Sequence, residues 1–101
     1  MYKLTVVYPA PSDPAKFRDY YLNSHLPLAH TIPGLRRTSY SFDLQGMGPQ
    51  EPPFCVFEAW FDDAEAMSAA LSSPEGQRTG ADVVNYTDAP PAMYHGPVIE
   101  G

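Results

Sequence analysis

The segment Phe54–Phe61, FCVFEAWF, constrains the fold more than any other stretch of the chain. Its aromatic, small and β-branched residues read as a strand, with Phe54, Val56, Glu58 and Trp60 on one face and Cys55, Phe57, Ala59 and Phe61 on the other. Glu58 is the single charge, so the strand is apolar on both faces and belongs in the middle of a sheet that is covered on both sides. A chain of 101 residues is the usual size of one domain, and two halves would each be too small to bury a useful core. With 44% hydrophobic and 18% charged residues it has too much apolar material to stay disordered. Residues 1–101 are read as a single domain.

The other elements follow from periodicity and punctuation. Tyr2, Leu4, Val6 and Tyr8 alternate along a first strand that Pro9 and Pro11 stop. Ser12, Asp13 and Pro14 supply an N-cap and a first-turn proline for a helix carrying Phe17, Tyr21 and His25 at four-residue steps, and Pro27 limits regular helix to about residue 26. A second strand spans Leu35 to Leu44, followed by a loop rich in Gly and Pro. After the central strand, Asp62 and Asp63 cap a helix to about Leu71, with Ala64, Met67, Ala70 and Leu71 inward. Ser73 and Pro74 restart helix to about Asn85, and Ala92–Ile99 form a last strand that Gly96 and Pro97 push to an edge.

Strand, helix, strand, strand, helix, strand is the α+β ferredoxin-like βαββαβ order: a four-stranded antiparallel sheet with two helices on one face. The helices leave one sheet face bare, yet the central strand is apolar on that face too. A homodimer joined through sheet faces is the expected cover.

Charge and cysteine content narrow the partners. Twelve acidic and six basic residues give a net charge of -6, which repels phosphate backbones, so no nucleic acid is expected. Arg36 and Arg37 fall on opposite faces of a strand and make no basic patch. The lone cysteine, Cys55, excludes an intrachain disulfide and reads as a buried, inert thiol. No run reaches the roughly 20 apolar residues of a membrane span, no signal-peptide pattern opens the chain, and a cytoplasmic protein is expected. Phosphate-binding glycine motifs are missing and no cofactor is indicated.

Several of these segments resemble the EthD family, named for ethyl tert-butyl ether degradation, within the dimeric α/β barrel superfamily. The resemblance runs through Phe17–Ala29 (FRDYYLNSHLPLA), Pro33–Leu35, Trp60–Asp62, Ser73–Gln77 and Ala81–Asp82, and its most specific part is the Tyr-to-His25 spacing followed by Pro27, Leu28 and then Pro33, Gly34, Leu35. It implies a ferredoxin-like protomer whose dimer closes a barrel. It also implies a superfamily of cofactor-independent monooxygenases, isomerases, polyketide cyclases and haem-degrading enzymes, beside members with no assigned activity. The expected function is that of an EthD-like catabolic or biosynthetic protein acting on a small apolar or aromatic compound: a cofactor-independent oxygenase, isomerase or cyclase. The alternative is a non-catalytic ligand-binding or accessory protein of a degradation pathway.

Candidate site residues are weighed one by one. His25 matches the family's histidine and is the expected general acid or base; the competing account has its imidazole satisfying a helix C-terminal carbonyl. Tyr40 could stabilise an oxyanion, or simply pack in the sheet with its hydroxyl at the rim. Phe17, Tyr21 and Trp60 are expected to form the apolar wall, with Trp60 lining either the pocket or the barrel. Asp82 is a polar pocket contact or, with Asn85, a tie within its helix. Glu58 pairs with Lys3 or Arg37. A metal site built from His25, His30 and His95 with Glu58 or Asp82 lacks ligand spacing, and none is expected.

Overall fold

Two prolines end strand β1 (Tyr2–Tyr8), and helix α1 (Pro14–Tyr20) starts three residues beyond the second of them. The computed structural model describes all 101 residues, Met1 to Gly101. The Asp13 carboxylate accepts the Lys16 N–H at 3.1 Å, satisfying one of the donors a helix start leaves open. A π-helical turn (Tyr21–His25) follows and leads into the short helix α2 (Leu26–Ala29). Strands β2 (Arg37–Phe42) and β3 (Cys55–Phe61) come next, then helices α3 (Ala64–Ser72) and α4 (Pro74–Ala81), a 3-10 turn (Asp82–Asn85) and strand β4 (Ala92–Pro97). Asp63 and Ser73 cap α3 and α4 through the N–H groups of Ala66 and Gly76. No helix is long and apolar enough to cross a membrane.

The sheet order is β2-β3-β1-β4, antiparallel throughout, which is the ferredoxin-like arrangement expected from the sequence. FCVFEAWF is central, as its two apolar faces require. Val6 pairs with Phe57 on one side and Met93 on the other, and Tyr40 lies across from Phe57. This register gives the helix-covered face Leu4, Val6, Tyr8, Cys55, Phe57, Ala59 and Phe61, most of which join Phe17, Tyr21, Leu26, Met67 and Ala70 in one core. Of the residues expected inward on α3, Met67 and Ala70 are buried, Leu71 is half-buried and Ala64 is exposed.

The opposite face carries Thr5, Val7, Val56 and Trp60, with a Lys3–Glu58 ion pair of 2.7 Å among them. Arg37 lies over the Trp60 ring at 4.6 Å. The face is therefore mixed, with an aliphatic and aromatic patch crossed by a satisfied ion pair, where the sequence suggested an apolar surface. Glu58 takes Lys3, one of its two expected partners.

Three boundaries differ from expectation. Pro27 does not end the helix: it occupies the first turn of α2, directly after the π-turn. The carbonyl of Asn23, four residues upstream, would have been its partner, and the chain widens there, with the Leu26 N–H reaching back to the Tyr21 carbonyl. Strand β2 is shorter at both ends: Asp43 (φ 57°) adopts left-handed backbone directly after Phe42, and at the other end the Arg36 N–H still reaches the Trp60 carbonyl at 2.8 Å, two residues beyond the turn at Gly34 (φ 83°). The helical segment after Ser73 tightens to 3-10 from Asp82, which turns that carboxylate back towards α1.

Candidate active site

Phe17, Tyr21 and His25 form a continuous stack. The Phe17 and Tyr21 rings lie 5.3 Å apart and those of Tyr21 and His25 5.4 Å, each pair tilted by 23°. Four-residue steps drift forward around an ordinary α-helix, because four residues exceed one turn. A turn closed by i→i+5 bonds rotates less per residue and takes that drift back, so the π-turn keeps His25 in line with Tyr21 and facing the sheet. Tyr86, buried under the 3-10 turn, closes on the imidazole at 4.6 Å.

His25 is 5% exposed, and its Nδ1 lies 2.9 Å from Asp82 Oδ2. The other Asp82 oxygen accepts the Tyr20 hydroxyl at 2.6 Å and the Asn85 amide at 2.9 Å. Burial pushes the Asp82 carboxyl upward, but the hydrogen bonds from Tyr20, Asn85 and His25 outweigh it and hold the pKa below the ordinary carboxylate range. Burial also dominates at His25 and lowers its pKa, with Asp82 opposing through its hydrogen bond and charge. The pair at neutral pH is thus a neutral imidazole and a carboxylate. A carboxylate only accepts, so Nδ1 carries the proton and Nε2 keeps its lone pair.

A cavity of about 320 Å³ lies between the helices and the sheet. Leu4, Val6, Tyr8, Tyr21, His25 and Ala29 line its buried end, whereas Gly80 and Met93 lie exposed at its outer end. His25 belongs to the wall and Asp82 does not, so Nε2 is the nitrogen left for the cavity. The Tyr8 and Tyr86 hydroxyls bond at 2.8 Å. Burial raises the Tyr8 pKa to about 12 and moves those of Tyr21 and Tyr86 upward as well, so these phenols stay neutral hydrogen-bonding groups.

The residues singled out in the sequence scatter around this centre. His25 and Tyr21 line the cavity together. Phe17, the first member of the stack, is fully buried core and forms no part of the wall. Asp82, expected as a polar pocket contact, bonds His25 Nδ1 and is not among the residues that line the cavity. Tyr40 is on the helix side of the sheet, but β2 is an edge strand; the residue is 45% exposed and lies outside the cavity. Trp60 is on the opposite sheet face, since odd residues of β3 point to the helices and even ones away. Tyr8 and Tyr86 were missed: Tyr8 reads as an ordinary strand residue, and Tyr86 follows a turn with no periodic pattern to place it. His30 bonds Thr38 at 3.2 Å and His95 bonds Tyr2 at 2.6 Å, so the histidines do not converge on a metal-binding cluster. Cys55 is buried, and burial pushes its thiol up to about 12, which disfavours the thiolate that a nucleophile needs.

Comparison with known proteins agrees with this architecture. The sequence pattern of the EthD domain matches residues 10–90. An uncharacterized 11.0 kDa protein from the thcB-thcC intergenic region of Rhodococcus erythropolis is 35% identical over 88 residues, spanning 85% of this chain and 84% of that one. The crystal structure of an EthD family protein from Bacillus halodurans superposes with a TM-score of 0.90 at 27% identity, covering 98% of this chain and 99% of the other. A dimeric ferredoxin-like protein of unknown function from Jannaschia shares the fold, with a TM-score of 0.66 at 20% identity over 96% of this chain and 97% of that one.

Proposed function

The chain belongs to the EthD family, and from that premise we propose that it is a small-molecule enzyme in which His25 transfers a proton to and from an apolar, ring-containing compound. The observation that carries this reading is the buried His25–Asp82 pair at 2.9 Å with Nε2 left to an apolar cavity. Asp82 fixes the tautomer and stabilises the imidazolium that forms when Nε2 takes a proton. The neutral phenols of Tyr8 and Tyr21 stand in the same wall and take the oxyanion role that Tyr40 is too remote to fill. A proton removed from carbon beside a carbonyl, and returned to another atom of the same molecule, balances without oxidant or reductant. Isomerisation and cyclisation both begin with that step, and it is the chemistry the dyad supports most directly.

The assembly belongs to the same proposal. Val7, Val56 and Trp60 on the open sheet face want cover, and the Jannaschia protein of the same fold is dimeric. A second copy of the chain is the cover we propose.

The test uses 2-tetralone, a neutral two-ring ketone with acidic C–H bonds, dissolved in D2O with the purified protein. The wild type is expected to accelerate deuterium uptake, and His25→Ala to lose that acceleration by roughly 10²- to 10⁴-fold. Equal uptake with His25→Ala would overturn the reading. So would wild-type protein that binds 2-tetralone without exchanging it, an outcome that would point to a carrier or accessory protein.

A further inference from the structure

We infer that Gly80 forms the entrance to the His25 cavity and that the guest it admits is uncharged and about two rings in size; this rests on the reading of the cavity as the ligand site. Helix α4 presents two glycines, Gly76 and Gly80, one helical turn apart, and both line the cavity. Their reasons differ. A Cβ on Gly76 would come within 2.2 Å of the Ala70 carbonyl oxygen and 2.8 Å of the Leu71 backbone, so the crossing of α3 and α4 demands glycine there. A Cβ on Gly80 would meet nothing within 4 Å, and its φ lies outside the left-handed region. Neither packing nor backbone requires glycine at a position near the end of a helix, where glycine is among the least favourable residues.

What a side chain at Gly80 would occupy is the mouth. Gly80 is exposed yet borders the cavity, next to Thr79 and Val83 and together with Met93 and Pro91 at the outer end. The Thr79 hydroxyl donates its proton to the Glu75 carbonyl at 2.8 Å, which leaves it only as an acceptor towards a guest. No Lys, Arg, Asp or Glu lines the cavity, so a carboxylate or phosphate entering it would find no opposite charge. The net charge of -6 adds repulsion to any anion approaching from solution. An apolar cavity of about 150 Å³ holds one benzene ring, and this one, at about 320 Å³, has room for two.

The probes are 2-naphthol, its anionic counterpart 2-naphthoate and the single-ring phenol, each titrated into the full-length protein. Wild type is expected to bind 2-naphthol at least tenfold more tightly than 2-naphthoate. Gly80→Leu is expected to weaken 2-naphthol at least tenfold while changing phenol by less than threefold, and Gly80→Ala to weaken 2-naphthol about threefold while raising the melting temperature. Should Gly80→Leu fail to fold, Gly80→Ala decides. Wild-type affinity for 2-naphthol in the folded variants, or equal affinity of wild type for naphthol and naphthoate, would overturn the inference. The two readings fail separately. If Gly80→Leu excludes 2-naphthol while His25→Ala still exchanges 2-tetralone, the entrance stands and the proton-transfer reading falls. If His25→Ala abolishes exchange while Gly80→Leu binds 2-naphthol normally, the entrance falls alone.

Discussion

The His25–Asp82 pair ties the site to stability as well as to chemistry. A histidine whose pKa is lower in the folded state than its ordinary value of about 6.5 takes up more protons when the chain unfolds. Stability therefore declines as pH falls from about 6.5 through the folded-state value, and it is complete above that window. Asp82 is also depressed, so its share is lost at lower pH, through and below the carboxylate range. His25→Gln keeps a donor for Asp82 but cannot titrate. Urea midpoints measured between pH 7 and pH 5 are expected to fall in the wild type and to stay flatter in the variant; parallel curves would mean that His25 is not the titrating group. The sequence revealed the histidine because the stripe Phe17, Tyr21, His25 is local. Asp82 lies 57 positions away, and nothing along the chain says that a 3-10 turn would aim its carboxylate at the imidazole. Family likeness drew attention to Asp82 without revealing what it does.

Among the elements, α3 and α4 approach too closely at Gly76 to admit a Cβ. Ser73 caps α4 while its own hydroxyl donates to the Ala70 carbonyl, and Gly76 lies against the backbone of residues 70 and 71. Gly76→Ala would force main chain apart where no flexible side chain can give way. It is expected to destabilise the protein by about 1–3 kcal/mol, read as a lower denaturant midpoint, whereas Gly80→Ala one turn later is expected to do the reverse. Equal effects at both glycines would contradict the packing. Elements with strong punctuation were legible from the sequence: the proline-stopped β1, the Asp and Ser caps, and the apolar run of β3. The π-turn was not, because in the sequence Pro27 is a stop signal, whereas in the fold it serves as a first-turn residue. Only the three-dimensional cost of losing one N–H decides between those two uses.

For the whole molecule, the proposed dimer rests on the open sheet face. Lys3 and Glu58 satisfy each other within one subunit, which leaves Val7, Val56 and Trp60 as the part that gains from burial. Sedimentation velocity at micromolar concentration is expected to show a dimer for the wild type, and Trp60→Glu to shift it towards monomer by placing a carboxylate in the patch. A wild-type monomer would remove the proposed assembly while leaving the cavity intact, since the cavity lies on the other side of the sheet. The topology was readable because six elements in this order leave few arrangements. The cavity was not, because its volume is what remains after a dozen side chains have packed.

The chain's single sulfhydryl offers a clock for the motions of its own interior. Cys55 sits on the internal strand β3 with no solvent contact, and burial makes its thiol less acidic than an ordinary one. That sulfur can attack no disulfide reagent in the surrounding buffer until β3 parts from the helices above it. Labelling at that sulfur therefore counts openings of the core, and a guest seated among the aromatics would slow the count in proportion to how firmly it holds the layers together.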